Sequence, residues 1–536
     1  MRFLSLALCV VSGLCFARDV RVTTVTELRT AVGAALPGDV ITLADGTYAI
    51  TSKLSCAAAG TGAMPIVLRG ETPFGATLES NTVIAIGVSG PHWHFEDFAM
   101  RGVCANDSNC EHAFQVTGAA TDVVLRRLRL VDFNAQLKVN ASPAGDGGYD
   151  MPHRGLVEAC ELYDTRARAT SNPVTKLNID TGDDFVVRDN VIRDFSKNGG
   201  NGVSYGSFMK SGGKRGVYER NLVICRSGGA TMTDTRIGLS FGGGGTGAQF
   251  CAPAFDASVP CSVEHEDGTL RNNIIVNCSD VGIYLNRARN TSVLHNTLVG
   301  TNGVDFRFDT TSGRAVGNLM TSVVRSRDTG MFTGTQNTTG VSVATFDAAY
   351  TAPLAGDFTI MGSVATWTGN VTPVTGVSDD YCGRARTGGM FSVGALEHSL
   401  GSCATGKPPD GGIGGGGGAT GGGSGTGGGM ATGGGSGTGG GAATGGGAAT
   451  GGGSATGGGA ATGGGSATGG GSATGGGAAT GGGTATGGGD ATGGGDGADA
   501  GMEPPGPVVG CGCTSVEGIA ALLALALLRR RRVLIS

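Results

Sequence analysis

The chain has 536 residues, with 38 Lys and Arg against 43 Asp and Glu, and its formal net charge of −5 argues against nucleic acid as a partner. Aromatic residues make up only 5%, which weakens the case for a sugar-stacking platform. The 105 glycines are concentrated in one segment near the C-terminus, so they describe a spacer rather than a core.

Residues 1–17 open with Arg2, run through the apolar stretch Leu4 to Leu14 and close on Cys15-Phe16-Ala17, the pattern of a secretory signal peptide. Leu14 stands where a small residue would precede a lipid-modified Cys15, against a lipoprotein signal. Ten cysteines lie between Cys56 and Cys403, an even number that suits disulfides in an oxidising compartment. Cys104 with Cys110, Cys251 with Cys261, and Cys382 with Cys403 are close enough to bridge locally, and bridges between neighbouring coils are equally open. No Cys-x-x-Cys pair occurs in this part, which argues against metal binding through cysteine.

A short phrase recurs at Asp189-Asn190-Val191-Ile192, Arg220-Asn221-Leu222-Val223, Asn272-Asn273-Ile274-Ile275, His295-Asn296-Thr297-Leu298 and Gly317-Asn318-Leu319-Met320. The asparagines are 31, 52, 23 and 22 residues apart, and Phe98, Leu128 and Cys160 extend the register upstream. Such steps predict a solenoid, and runs of alternating Val, Ile, Leu and Phe between Gly, Asn, Asp and Ser turns predict that its coils are strands. A single coil cannot bury its apolar face, so coils must stack into parallel sheets around one elongated core. The repeated Asn is then expected to face inward at a bend needing φ > 0, bonded to the coils above and below. Its role is structural.

Outward residues of one sheet would line a long groove suited to an extended polymer. Aligning the coils on the Asn phrase gathers Lys138, Asn178, Asp180, Lys210, Tyr284, Asn286, Arg287, Arg307 and Asp309 on or near one stripe, a mixture fit for an anionic glycan. Asp180, Asp183 and Asp184 could offer oxygen ligands to calcium, although Thr181-Gly182-Asp183-Asp184 also reads as an ordinary turn. The long 52-residue step holds Gly242 to Gly245, a Cys pair and Glu264-His265-Glu266-Asp267, an insertion able to wall the groove. His265 is a candidate general acid or base, or else an exposed loop histidine. The Gly-rich loop lacks the following Lys-Ser/Thr of a phosphate cradle. Trp93, Tyr149, Tyr205 and Tyr284 are the candidates for stacking on a sugar.

Val25-Thr26-Glu27-Leu28-Arg29-Thr30-Ala31, then Leu36-Pro37-Gly38-Asp39-Val40-Ile41-Thr42-Leu43-Ala44-Asp45-Gly46-Thr47-Tyr48, resembles the opening of secreted β-helix proteins of the pectate-lyase superfamily and the chondroitinase-B/alginate-lyase family. Met64 to Gly70 continues the pattern. Asp379-Asp380-Tyr381-Cys382-Gly383-Arg384 and Val393-Gly394-Ala395-Leu396-Glu397 look like the phrase that closes such domains. The resemblance covers about residues 20–400 and implies an all-β fold, a right-handed parallel β-helix spanning residues 18–405. It places a capping helix at Glu27 to Ala35 and the first coil at Asp39 to Tyr48. It also implies β-elimination on a uronic acid, which needs a cation on the carboxylate, a base for the C5 proton and an acid for the leaving oxygen. Met209-Lys210-Ser211-Gly212-Gly213 followed by Glu219-Arg220-Asn221 looks like the Lys-Ser segment and later Asn of the chondroitinase-B/alginate-lyase type, which makes Lys210 the candidate base, a solvated strand lysine being the other reading. Arg236, Arg287 and Arg307 are the candidates for its acid partner. Arg236-Ile237-Gly238-Leu239-Ser240-Phe241-Gly242 departs from the pattern, with Ser and Phe in place of an Arg-His pair, and clear upstream calcium ligands are missing. Two functions follow: a polysaccharide lyase acting on an acidic glycan, or a non-catalytic glycan-binding or adhesive surface module.

Residues 406–506 form a Gly/Ala/Thr-rich linker, with hexads such as Ser454-Ala455-Thr456-Gly457-Gly458-Gly459. That composition predicts disorder and a root-mean-square reach of about 50 Å. Residues 507–536 hold Gly510-Cys511-Gly512-Cys513, a stretch from Val508 to Leu528 long enough for a transmembrane helix, and Arg529 to Arg532 on its cytoplasmic side. This tail resembles the MYXO-CTERM sorting signals of myxobacterial surface proteins. The resemblance implies a sorting protease acting near Cys511 or Cys513, lipidation there, and display at the outer membrane; a permanent membrane anchor is the alternative.

Overall fold

The computed structural model describes residues 17–228, 233–243, 251–255 and 261–405, all within one compact unit. Residues 1–16 of the expected signal peptide, the linker, and the tail with Cys511, Cys513 and its apolar stretch lie outside the described residues. Among the described residues, no helix is long and apolar enough to cross a membrane.

Short strands with alternating burial stack into three parallel sheets of twelve, ten and ten strands. Sheet one runs from Asp19–Val22 to Met331–Thr335, sheet two from Gly46–Ile50 to Leu319–Met320, and sheet three from Leu54–Cys56 to Val324–Arg327. One coil shows the order: Val186–Arg188 in sheet one, Val191–Arg193 in sheet two, Val203–Lys210 in sheet three, then Val217–Glu219 above the first. This is the expected parallel β-helix. Inward residues form unbroken apolar columns, such as Leu130, Leu162, Ile192, Val223, Ile275, Leu298 and Met320 in sheet two, every one fully buried.

The bend from sheet one into sheet two carries the repeated phrase. The residue before each bend position is left-handed: Asp97, Arg127, Ala159, Asp189, Arg220, Asn272, His295 and Gln336 have φ between 50° and 65°, and Gly317 has 68°. The next residue turns inward. Asn190, Asn221, Asn273, Asn296 and Asn318 each donate Nδ2 to Oδ1 of the following one at 2.9–3.0 Å, and Asn318 donates to Asn337 at 2.9 Å. Each Oδ1 also accepts a backbone N–H, as Asn273 does from Asn221 at 3.1 Å. The second Nδ2 hydrogen reaches a carbonyl, that of Tyr218 at 2.9 Å in the case of Asn273. The ladder therefore satisfies both side-chain and backbone groups in a dry bend. Its sixth member, Asn337, has no Ile or Leu after it and so escapes the sequence phrase.

Outside, sheet one carries a second ladder. Glu96, Arg126, Glu158, Arg188, Glu219 and Arg271 occupy one register row, and their charges alternate in sign from coil to coil. Arg126 meets Glu96 at 3.2 Å and Glu158 at 2.8 Å, and Arg188 meets Glu158 at 2.6 Å. Parallel stacking at about 4.8 Å would set like charges against each other, and alternation removes that repulsion.

The N-terminal phrase closes one end of the stack, and the C-terminal phrase packs on the outer face of sheet two. The N-terminal helix spans Val25–Gly33, starting two residues earlier than anticipated because Thr24 and Glu27 form a capping box, and it buries Leu28 and Val32. The segment after Gly340 folds back on the outer face of sheet two, where Phe346, Tyr350, Phe358 and Trp367 cover Leu222, Ile274 and Leu319. Sheet two is thus buried on both faces, which explains apolar triplets such as Leu222–Ile224 and Ile274–Val276. In the closing phrase, the Asp380 carboxylate accepts from the backbone N–H of Cys382, Arg384 and Glu397 and from the Arg384 guanidinium. Cys104–Cys110, Cys251–Cys261 and Cys382–Cys403 form local disulfides, and Cys225–Cys278 joins neighbouring coils. Cys56 and Cys160 are buried thiols.

Replacing Asn273 by Ala removes the acceptor for two buried donors of Asn221 and should cost about 3 kcal/mol or more. Asn337→Ala, at the half-exposed end of the ladder, should cost clearly less. Denaturant unfolding of both variants checks this, and equal losses would contradict a load shared along the ladder.

Candidate functional site

The register of sheet three brings most of the expected stripe together. One outward row reads Gln115, Lys138, Asn178, Phe208, Ser240, Tyr284, Asp305. Two residues further along, a second row holds Asn140, Asp180 and Lys210 on adjacent coils, and then Asn286 and Arg307.

At the centre, Asp180 lies between two ammonium groups. Lys138 pairs with one carboxylate oxygen and Lys210 with the other, the latter at 3.0 Å. Lys138 Nζ also donates to Asn178 Oδ1 at 2.9 Å, and Lys210 Nζ sits 4.5 Å from the centre of the Phe208 ring. Burial pushes the Asp180 carboxyl up, but the two lysines outweigh it and hold it below the usual carboxylate range. Burial lowers the Lys210 pKa, Asp180 opposes that, and the net shift is downward.

The wall over Lys210 is built by the insertion. A Cβ on Gly243 would lie 2.7 Å from Lys210 Cδ, so glycine is what lets the backbone close over the lysine. Gly243 donates its N–H to Glu264 Oε2 at 2.9 Å and accepts from Asn286 Nδ2 at 3.1 Å. Glu264 is 3% exposed. Burial pushes its carboxyl up to about 7, against the pull of the Gly243 N–H and of the charges on Lys210 and Arg287. Glu264 is the residue that sequence reasoning missed. Its place beside Lys210 depends on where the insertion rejoins the stack, and the repeat, interrupted at that point, holds no signal for it.

The same return point corrects the reading of His265. His265–Glu266 forms a strand between Gly213–Lys214 and Ala288–Arg289, so its side chains alternate and the histidine turns inward. His265 is 1% exposed and stacks on Phe241 with ring centres 4.1 Å apart, and burial drops its pKa to about 3. It is a core aromatic, neither an exposed loop histidine nor a groove residue. Trp93 is likewise core, fully buried with Nε1 donating to the Ala58 carbonyl at 2.7 Å. Tyr149 is exposed on the hairpin formed by Ser142–Pro143 and Tyr149–Asp150 and packs on Phe255, whereas Tyr205 and Tyr284 join Phe208 and Ile237 in an apolar cluster beside the lysines.

The arginines do not converge on Lys210. Arg236 pairs in register with Ser204, six residues before Lys210, which places it about 20 Å along the strand direction. It is bound there to Asp234 at 2.9 Å. Arg307 is three coils away, about 14 Å, and donates to the Tyr284 hydroxyl at 2.8 Å while pairing with Asp328. Arg287 is two coils away and lies over the Phe308 ring at 5.3 Å. Asp309 is exposed, beyond the end of the strand Val304–Arg307.

The three carboxylates suggested for calcium do not fit a calcium cage. Asp180 is taken by two lysines, and Asp183 and Asp184 hold Arg215 at 3.2 and 2.7 Å. Among the described residues, no group of three or more His, Cys, Asp or Glu is placed to hold a metal ion.

A scan against protein-family models finds no match, and neither does a search of curated proteins. Solved structures do match. This chain is similar to pectate lyase Pel9A with a TM-score of 0.50 and 13% identity, over 72% of this chain and 97% of that one. A rhamnogalacturonan lyase matches with a TM-score of 0.42 at 14% identity, over 70% and 92% of the two chains. An alginate lyase from Paenibacillus sp. str. FPU-7 matches with a TM-score of 0.33 at 15% identity, over 60% and 99%. Likeness at such identities is a likeness of fold, and with the three stacked sheets and the Pel9A match in hand, this chain has the parallel β-helix fold of pectate lyase.

Proposed function

We propose that the chain is an exported, carbohydrate-active β-helix protein whose sheet-three groove takes an acidic glycan and cleaves it by β-elimination. The observation that carries this reading is the cluster of Lys138, Asp180, Lys210 and Glu264, two ammonium groups and two carboxyl groups meeting on the outward side of one continuous sheet. Four disulfides among the described residues support an oxidising compartment. Display at the cell surface would follow from the tail containing Cys511 and Cys513.

The chemistry assigns the roles. A base works best when its pKa lies near the working pH, and Glu264, pushed up to about 7, meets that condition better than Lys210, whose ammonium is held by Asp180. In this reading the Glu264 carboxylate takes the C5 proton, the C–H electrons form the C4–C5 double bond, and the C4–O bond breaks. The resulting Glu264 carboxylic acid returns the proton to the departing oxygen. The residue ends as it began. Lys210, proposed as base from the sequence, becomes the neighbouring positive charge.

A second reading, a non-catalytic glycan-binding or adhesive module, is favoured by a separate observation. Lys210 and Glu264 are each 3% exposed, and Arg236 and Arg307 are committed to other partners.

Incubating the mature full-length chain with alginate, pectate and glycosaminoglycans should yield product with the ultraviolet absorbance of an unsaturated uronate. No product on any of them, with or without calcium, would discard the lyase in favour of the binding module. The rate should rise with pH through about 7, as Glu264 ionises. Glu264→Gln should lower kcat by about 10²- to 10⁴-fold and abolish that dependence. Stability provides an independent check with the opposite sign. The folded-state pKa of Glu264 is raised, so its stabilising contribution is complete below about 4.5 and is lost as pH rises through about 7, about 3 kcal/mol in all. Glu264→Gln should flatten that part of the stability profile; an unchanged slope between pH 5 and 7.5 would show that the carboxyl is not the titrating group.

A further inference from the structure

The reading above requires positive charge on the substrate carboxylate, and the expected source, a calcium ion on Asp180, Asp183 and Asp184, does not fit the residues present. We propose that Lys138 and Lys210 form a metal-free carboxylate site, in which two ammonium groups held by one shared aspartate supply the charge that a divalent cation would bring to a uronate. The inference rests on the acidic-glycan reading and names how that groove recognises its ligand.

Three observations carry it. Calcium takes six to eight oxygen ligands, with carboxylates prominent among them. Both Asp180 oxygens face ammonium groups, and the Asn178 Oδ1 that might add a neutral ligand accepts from Lys138 instead. A cation placed there would meet two positive charges at contact distance. Next, the cluster sets two lysines against Asp180 and Glu264, so below about pH 7, where the Glu264 carboxyl is protonated, positive charge is in excess, and Arg307 lies further along the same row. The nearest other acid in the adjoining row, Asp305, is already matched by both Arg325 and Arg327. Finally, Asp180 holds the two lysines in register. Lys138 and Lys210 lie on coils about 10 Å apart, and the aspartate on the coil between draws both side chains to one point. A pair of ammonium groups fixed in this way is preorganised for a carboxylate.

The two cation sources predict different effects of one substitution. Asp180→Asn removes a calcium ligand, but it also removes the internal anion that competes with substrate for the lysines. The test is titration calorimetry on the full-length chain with calcium chloride alone, and with short galacturonate and mannuronate oligomers in EDTA or in calcium. The expected results are no heat from calcium, unfolding midpoints in EDTA and calcium that agree within about 1 °C, and oligomer binding that persists in EDTA. Lys138→Gln should weaken that binding more than about 10-fold, and Asp180→Asn, which removes both the competing anion and the contact that holds the lysines together, should leave it within several-fold of the wild type. Binding only when calcium is present would overturn the proposal and leave the acidic-glycan reading standing. No binding in either condition would overturn both. If Asp180→Asn does not fold, the wild-type comparison between EDTA and calcium, together with Lys138→Gln, still decides.

Discussion

A coil of this solenoid has two residues in which to turn from sheet one into sheet two, and everything else in the structure depends on that turn closing without leaving buried amides unpaired. The solution is local and repeated. One residue adopts a left-handed backbone, and the next points a carboxamide inward, where its oxygen accepts from the coil before and its nitrogen donates to the coil after. Because an Asn side chain carries both a donor and an acceptor, one residue type serves every position. Upstream, where Phe98, Leu128 and Cys160 occupy the same column, the bend is filled by apolar packing and by thiol contacts such as that of Cys160 with the Leu125 carbonyl at 3.6 Å.

With the bend fixed, the three sheets acquire their register, and the register assigns each face a task. Sheet one faces outward with charges of alternating sign, sheet two is sealed under the C-terminal segment, and sheet three is left to present polar residues in rows. Lys138, Asp180 and Lys210 come from segments far apart in sequence, yet they meet because each stands at an outward position of consecutive coils. The cluster therefore arises from stacking, and the insertion closes over it at Gly243.

Legibility in the sequence follows the same division. The Asn phrase and the strand alternation revealed the solenoid, the coil boundaries and the stripe of outward residues, because these repeat and repetition makes a pattern visible. The two terminal phrases were legible through their resemblance to those of other β-helix proteins, although the Thr24–Glu27 box, which starts the first helix at Val25, was not read. What stayed hidden lies where the repeat breaks. The insertion between Gly242 and Glu264 has no period, so its point of return could not be read, and with it went the inward turn of His265 and the placement of Glu264. Charge partners were hidden too: three aspartates close in sequence suggest a cation site until the lysines and Arg215 that hold them are brought in from other coils.

The Asn ladder has a direction, since each side chain from Asn190 to Asn318 donates one Nδ2 hydrogen to the next Asn toward the C-terminal end. Identical links joined head to tail have no preferred number. A duplicated coil would enter such a column as one more link, with its donor and acceptor already matched to both neighbours, and a lost coil would leave no mismatch behind. The length of sheet three is therefore free to change by single coils beyond Arg271, where the alternating charge row has ended, while the cluster of Lys138, Asp180 and Lys210 stays as it is.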